Sequence, residues 1–165
     1  MLRMVMTAGA GLAALVLAGC NDEGKMATGT PVAGGASATA TAVAGGVRFT
    51  IDATGMPPGT HGAHVHRVGR CDAPDFASAG GHWNPTGMKH GAMNPQGPHQ
   101  GDLPNLVIAN DGRGTIAATI PGATLTALMD ADGAAMVIHA QPDDLKTDPS
   151  GNAGGRIACG VFQPS

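Results

Sequence analysis

The feature that most constrains this fold is a strict alternation beginning at Val47. Val47, Phe49 and Ile51 are apolar, while Arg48, Thr50 and Asp52 between them are polar. A period of two puts the two sets on opposite faces of an extended strand. Ala36 to Val43 alternates Ala with Ser, Thr, Thr and Val, so Gly45-Gly46 reads as the turn of a hairpin. Leu106–Ala109 and Arg113–Ile120 flank Asn110-Asp111-Gly112 and give a second hairpin signal. Ala135–Ala140 and Arg156–Phe162 read as two more short strands. The 27 glycines and 12 prolines fall largely between such segments, as in an all-β domain with many turns.

Two intervals break the strand pattern. Residues 67–104 are rich in Gly, Pro, His and Asn, and residues 141–155 in Pro, Asp and Gly. Structureless stretches of that length inside a compact domain usually carry function. Short strands with two long loops predict a Greek-key barrel or sandwich, immunoglobulin-like in its architecture. The net charge of −3 and the lack of any basic block exclude a nucleic-acid partner. Four aromatic residues, Phe49, Phe76, Trp83 and Phe162, are too few for base- or sugar-stacking platforms.

Residues 1–19 carry one Arg and then an apolar run of signal-peptide length, too short and too rich in Gly and Ala for a membrane span. The run ends in Leu17-Ala18-Gly19-Cys20, which resembles a bacterial lipobox, with acylation of Cys20 after cleavage. The expected organisation is a lipoprotein signal peptide at 1–19, a flexible small-polar tether at 20–35 and a domain at 36–165. Its location would be periplasmic or otherwise extracytoplasmic, with membrane contact only through the lipid on Cys20. Of the three cysteines, that leaves Cys71 and Cys159, as a disulfide favoured by an oxidising compartment or as two separate thiols.

The seven histidines are the chemical signal. His64-Val65-His66 lies in an apolar segment, and a strand projects residues i and i+2 to one face. Two imidazoles so placed suit a transition metal, although such pairs also arise by chance. His82, His90, His99 and Asp102 follow within the long loop, and three imidazoles with one carboxylate make a plausible tetrahedral zinc set. His139 ends a later strand.

The order of motifs adds a specific resemblance. His61-Gly-Ala-His64-Val-His66, Gly80-Gly-His82-Trp-Asn-Pro85, Lys89-His90-Gly91, Gly101-Asp102-Leu-Pro-Asn105, Val137-Ile-His139 and Gly151-Asn-Ala-Gly-Gly-Arg156-Ile-Ala-Cys159-Gly-Val161 are similar to the signatures of copper/zinc superoxide dismutases, in the same order. The resemblance runs from about residue 47 to 162. It implies copper at His64, His66, His82 and His139, and zinc at His82, His90, His99 and Asp102, with His82 shared. It implies a Cys71–Cys159 disulfide and a catalytic role for Arg156 and His82, Arg156 attracting superoxide. Asp143 would link a copper ligand to a zinc ligand from the outer shell, and His61 would brace the site.

The implied activity is disproportionation of superoxide to dioxygen and hydrogen peroxide, with copper and zinc as cofactors. The rival reading is a non-enzymatic copper/zinc-binding protein on the same fold, but such relatives typically lose a copper histidine or the arginine. Residues 21–43 lack the usual Val/Ile-rich first strands, which predicts a frayed barrel edge. Ala63 stands where an aromatic is common, and the strand ends within 121–134 have no clear signal. Nothing in the sequence chooses between a monomer and a homodimer.

Overall fold

The computed structural model describes residues 26–29 and 35–165. Among the described residues, nine strands and one short α-helix run in chain order, besides a 3-10 turn at Ala77–Ala79: β1 Met26–Gly29, β2 Ala36–Val43, β3 Gly46–Ala53, β4 Gly59–His61, β5 Ala63–His66, β6 Leu106–Ile108, β7 Gly114–Pro121, α1 Leu125–Leu128, β8 Ala135–His139 and β9 Arg156–Pro164. Seven strands form one antiparallel sheet in the order β5-β8-β9-β1-β2-β3-β7, and β4 pairs with β6 in a second. The chain leaves β5 to return only at β8, and β9 crosses back to β1. These non-sequential pairings give the expected Greek-key, all-β class.

The alternation around Val47 does what its period requires. Val47, Phe49 and Ile51 are fully buried, and Phe49 meets Phe162 edge to face with ring centroids 6.0 Å apart. Opposite them, Ala36, Ala38, Ala40 and Ala42 of β2 bury the same face with small side chains. Burying Phe49 or Ile51 stabilises the fold by roughly 1.5–3 kcal/mol each.

Two expectations need correction. Met26–Gly29, placed by the sequence in a flexible tether, is a strand that pairs with both β2 and β9. The first edge is therefore not frayed: β2 has a hydrogen-bonded neighbour on each side. The second hairpin also differs. The chain turns at 110–112, with Ala109 N donating to Arg113 O at 2.8 Å. The strands then part, β6 to β4 and β7 to β3. In the 121–134 segment, Thr124 caps the single turn of α1 by accepting from Ala127 N, and Leu125 and Leu128 are buried.

Strand β8 shows how the fold prepares a site. Met136 and Ile138 join the main core, while Ala135 and Val137 pack with Ala79 and Cys159 in a second cluster on the other face. Cys71 and Phe76 lie against that second cluster, and the Cys71–Cys159 disulfide ties the 67–104 loop to β9. On β5, Ala63 and Val65 enter the main core, so His64 and His66 point to the opposite face, beneath the loop. The loop runs alongside β5: Val65 N donates to Gly101 O, and Trp83 N to Val65 O. Gly101 is required there, because a Cβ would lie 2.4 Å from the Val65 carbonyl oxygen.

Candidate metal centre

Six histidines are gathered where the 67–104 loop covers β5 and β8. His64, His66, His82 and His139 bring one ring nitrogen each to within 4.8 Å of one another. His82, His90, His99 and Asp102 form a second group under the same limit, and His82 belongs to both. Every ligand expected from the sequence lies in one of these two groups.

The hydrogen bonds decide which nitrogen each imidazole presents. Asp143 Oδ2 accepts from His64 Nε2 at 2.8 Å, Gly80 O from His66 Nδ1 at 2.9 Å, and Gly154 O from His139 Nδ1 at 3.1 Å. Each acceptor fixes the proton on that nitrogen and leaves the other with a lone pair. The remaining atoms, His64 Nδ1, His66 Nε2 and His139 Nε2, are buried without a partner, as is His82 Nε2. Buried polar atoms are normally satisfied. Four orphaned nitrogens converging from four rings are therefore a donor set for a metal ion, and an all-imidazole set suits copper.

The second group is centred on a carboxylate. Asp102 Oδ1 lies 2.9 Å from His82 Nδ1, 3.0 Å from His90 Nδ1 and 3.2 Å from His99 Nδ1, and the His82 and His99 Nδ1 atoms are 3.4 Å apart. Tetrahedral zinc with ligands at about 2.0–2.1 Å requires ligand separations near 3.3 Å. The donor set fits zinc in chemistry and in spacing. Asp102 is itself held by Gly91 N and His99 N, both donating to Oδ2.

Protonation sets His90 apart from His64, His66 and His139. Burial first, then repulsion from neighbouring rings, lowers His64 and His139 to about 4, and His66 further still. All three are neutral donors near pH 7. His90 goes the other way: burial lowers it, but hydrogen bonds to Asp102 and Asp143 outweigh that and raise it to about 9. Both carboxyls, though buried, are held well below the usual range by their histidine hydrogen bonds. The second group thus carries a field that favours a cation.

Asp143 connects the groups, since its Oδ1 accepts from His90 Nε2 at 3.0 Å while its Oδ2 holds His64. His61 joins neither group; its Nδ1 lies 2.8 Å from His139 O and its Nε2 3.1 Å from Pro57 O, a position that braces the end of β8. Arg156 donates to Phe76 O and Gly80 O, each at 2.6 Å, so the carbonyl that orients His66 also anchors the guanidinium. An open cleft of about 530 Å³ is lined by His66, His82, His139 and Arg156. Cys20 lies outside the described residues.

Sequence reasoning did not find four contributors. Gly80 and Gly154 act through backbone carbonyls, which have no side-chain signature. Asn105 clamps Asp143, donating from Nδ2 to its carbonyl and accepting its N–H at 2.8 Å; its place at the end of Gly101-Asp102-Leu-Pro-Asn105 is the one sequence signal for it. Arg67 lines the cleft next to His66.

Comparison with known proteins agrees with this geometry. The family model of copper/zinc superoxide dismutase matches residues 32–162. The chain belongs to that family. A copper/zinc superoxide dismutase of Aquifex aeolicus is 48% identical over 123 residues, covering 71% of this chain and 73% of the relative. One from Caulobacter vibrioides is 44% identical over 124 residues, 71% of each chain. Among solved structures, a superoxide dismutase-like protein from Bacillus subtilis superposes with a TM-score of 0.74 at 36% identity, covering 85% of this chain and 99% of that one. The copper/zinc enzyme of Brucella abortus gives 0.62 at 28%, covering 84% and 97%.

Proposed function

We propose that this chain is a superoxide dismutase, holding copper at His64, His66, His82 and His139, and zinc at His82, His90, His99 and Asp102. The observation that carries the reading is the set of four buried, unpartnered imidazole nitrogens beside a carboxylate-centred group that shares His82. Bound copper supplies a one-electron couple, so that two superoxide ions and two protons become one dioxygen and one hydrogen peroxide, while zinc contributes structure and charge.

The chain's own residues do the rest. Asp143, Gly80 and Gly154 hold His64, His66 and His139 with their lone pairs turned inward. His82 alone presents Nε2 to one group and Nδ1 to the other, so Nε2 can hold a proton for the departing peroxide whenever it is not a ligand. Arg156, pinned by two carbonyls at the cleft wall, keeps a permanent positive charge where an anion approaches. The histidine set and the arginine are complete, which weighs against a role confined to metal binding.

The test is superoxide dismutation by the copper- and zinc-loaded protein against His66→Ala. The variant is expected to lose most of its activity while still binding zinc. Equal activity in both, or none in a wild type carrying one copper and one zinc per chain, would refute the assignment.

The same proposal includes export and lipid attachment. The lipobox-like Leu17-Ala18-Gly19-Cys20 and the disulfide of Cys71 with Cys159, which leaves Cys20 as the third cysteine, support this. Cys20→Ala is expected to move the protein from the membrane fraction to the soluble extracytoplasmic fraction; unchanged membrane association would count against a lipid on Cys20.

A further inference from the structure

The cleft above the histidine groups contains a second guanidinium. Arg67 follows His66 directly, is exposed, and lines the same cleft as Arg156. Its backbone N–H donates to Gly81 O at 3.0 Å, which fixes its Cα at the mouth of the site. Its side chain lies over Gly80: a Cβ built on that glycine would come within 3.4 Å of Arg67 Cγ and Nε. Gly80 is also the residue whose carbonyl accepts from both Arg156 and His66. The two arginines therefore flank one loop residue, one inside and one outside.

They are held differently. Arg156 is half-buried and locked by two backbone acceptors. Among the described residues, no hydrogen bond or ion pair holds the Arg67 guanidinium, so its long side chain can sweep the opening. The cleft is lined by these two guanidiniums and by no carboxylate, in a chain whose net charge is −3. A low-dielectric cleft of one sign concentrates counter-charged solutes. Asp130 and Asp132 line a smaller cavity on the far side of Arg67 and give it a competing direction outside the cleft.

We infer that Arg67 is a steering residue, a mobile outer cation that captures small anions and passes them to Arg156. The inference rests on reading the cleft as the approach of an anionic substrate. Arg67 acts at a distance on encounter, not on the reacting atoms. Its contribution is therefore large at low ionic strength and vanishes once the screening length falls to a few ångströms.

The test uses the copper- and zinc-loaded protein and two readouts: kcat/KM for superoxide across ionic strength, and azide affinity measured by the copper absorption band. At low salt, Arg67→Ala is expected to lower both by about 2- to 5-fold and Arg67→Glu by about 10-fold or more, with the differences closing above about 0.5 M salt. Arg67→Lys keeps the charge and should retain the wild-type salt slope. Identical slopes and azide affinities in wild type and Arg67→Glu would overturn the inference, as would Arg67→Lys behaving like Arg67→Ala, which would mark a packing role. A loaded wild type without dismutation would overturn the enzyme assignment instead, and the azide titration would still decide the case of Arg67.

Discussion

Gly151→Ala disturbs both metal groups without replacing a ligand. A Cβ built at this position lies 1.8 Å from Asp143 Oδ1, 2.5 Å from its Cγ and 2.6 Å from His90 Nε2. No neighbour can yield cheaply, because the carboxylate is held by Leu145 N and the two histidines, while Asn105 clamps the Asp143 backbone. To restore a contact of about 3 Å, Asp143 must withdraw by more than about 1 Å, which breaks its bonds of 2.8 Å to His64 and 3.0 Å to His90. Loss of such an outer carboxylate typically costs 10- to 100-fold in metal affinity, or about 1.4–2.8 kcal/mol. Zinc affinity should fall most, because His90 Nδ1 belongs to that group; competition with a chromophoric chelator measures it. Backbone strain is a confounder, since Gly151 has φ +63° and alanine there costs roughly 1–2 kcal/mol. Gly87→Ala controls for it: φ is +66° but no atom lies within 4 Å of the new Cβ. The control should lose stability and keep zinc affinity. Asp143→Asn, which removes the charge without a clash, should weaken zinc as Gly151→Ala does. Unchanged zinc affinity in both site variants would refute the bracing role of Asp143.

Two further outcomes follow from the same structure. Replacing Cys71 and Cys159 by Ser opens a loop of 88 positions, which should lower unfolding stability by about 4–5 kcal/mol in the chain-entropy model; a denaturant midpoint within error of the wild type would refute it. For the metal-free protein, His64 and His139 at about 4 against an ordinary 6.5 mean that the unfolded chain binds more protons between those values. Stability is therefore lost as pH falls below about 6.5. His90 at about 9 holds a proton that the unfolded chain has released, so stability is also lost as pH rises from 6.5 towards 9. Urea denaturation should show a maximum near neutrality, with the alkaline loss abolished by zinc; a flat profile would contradict the assignment.

What was legible in the sequence was what side chains encode. The hairpin of β2 and β3 follows from alternation, and the two histidine groups from residue type and motif order. What was not legible depends on partners distant in the chain. Met26–Gly29 has no apolar period, yet it is a strand because β2 and β9 leave a gap whose backbone groups need partners. Leu106–Ile108 looks like half of a hairpin because pattern and turn chemistry are local, whereas its actual pairing with Gly59–His61 is not. The single turn at Leu125–Leu128 is too short to show a helical period.

The same distinction explains the site's construction. Ligand identity resides in side chains, but ligand orientation resides largely in backbone carbonyls, at Gly80 and Gly154, and in one carboxylate that glycine leaves room for. A loop can place carbonyls this tightly only if its ends are fixed. The disulfide, the bridges of His64 with Asp102 and His66 with His82, and the Asn105 clamp on Asp143 supply those fixed points. The barrel contributes a rigid face carrying three of the imidazoles, at His64, His66 and His139. The long loops contribute everything that tells one nitrogen from the other. A single loop glycine, 151, should therefore matter more to metal affinity than any single apolar residue of the distant β2–β3 core.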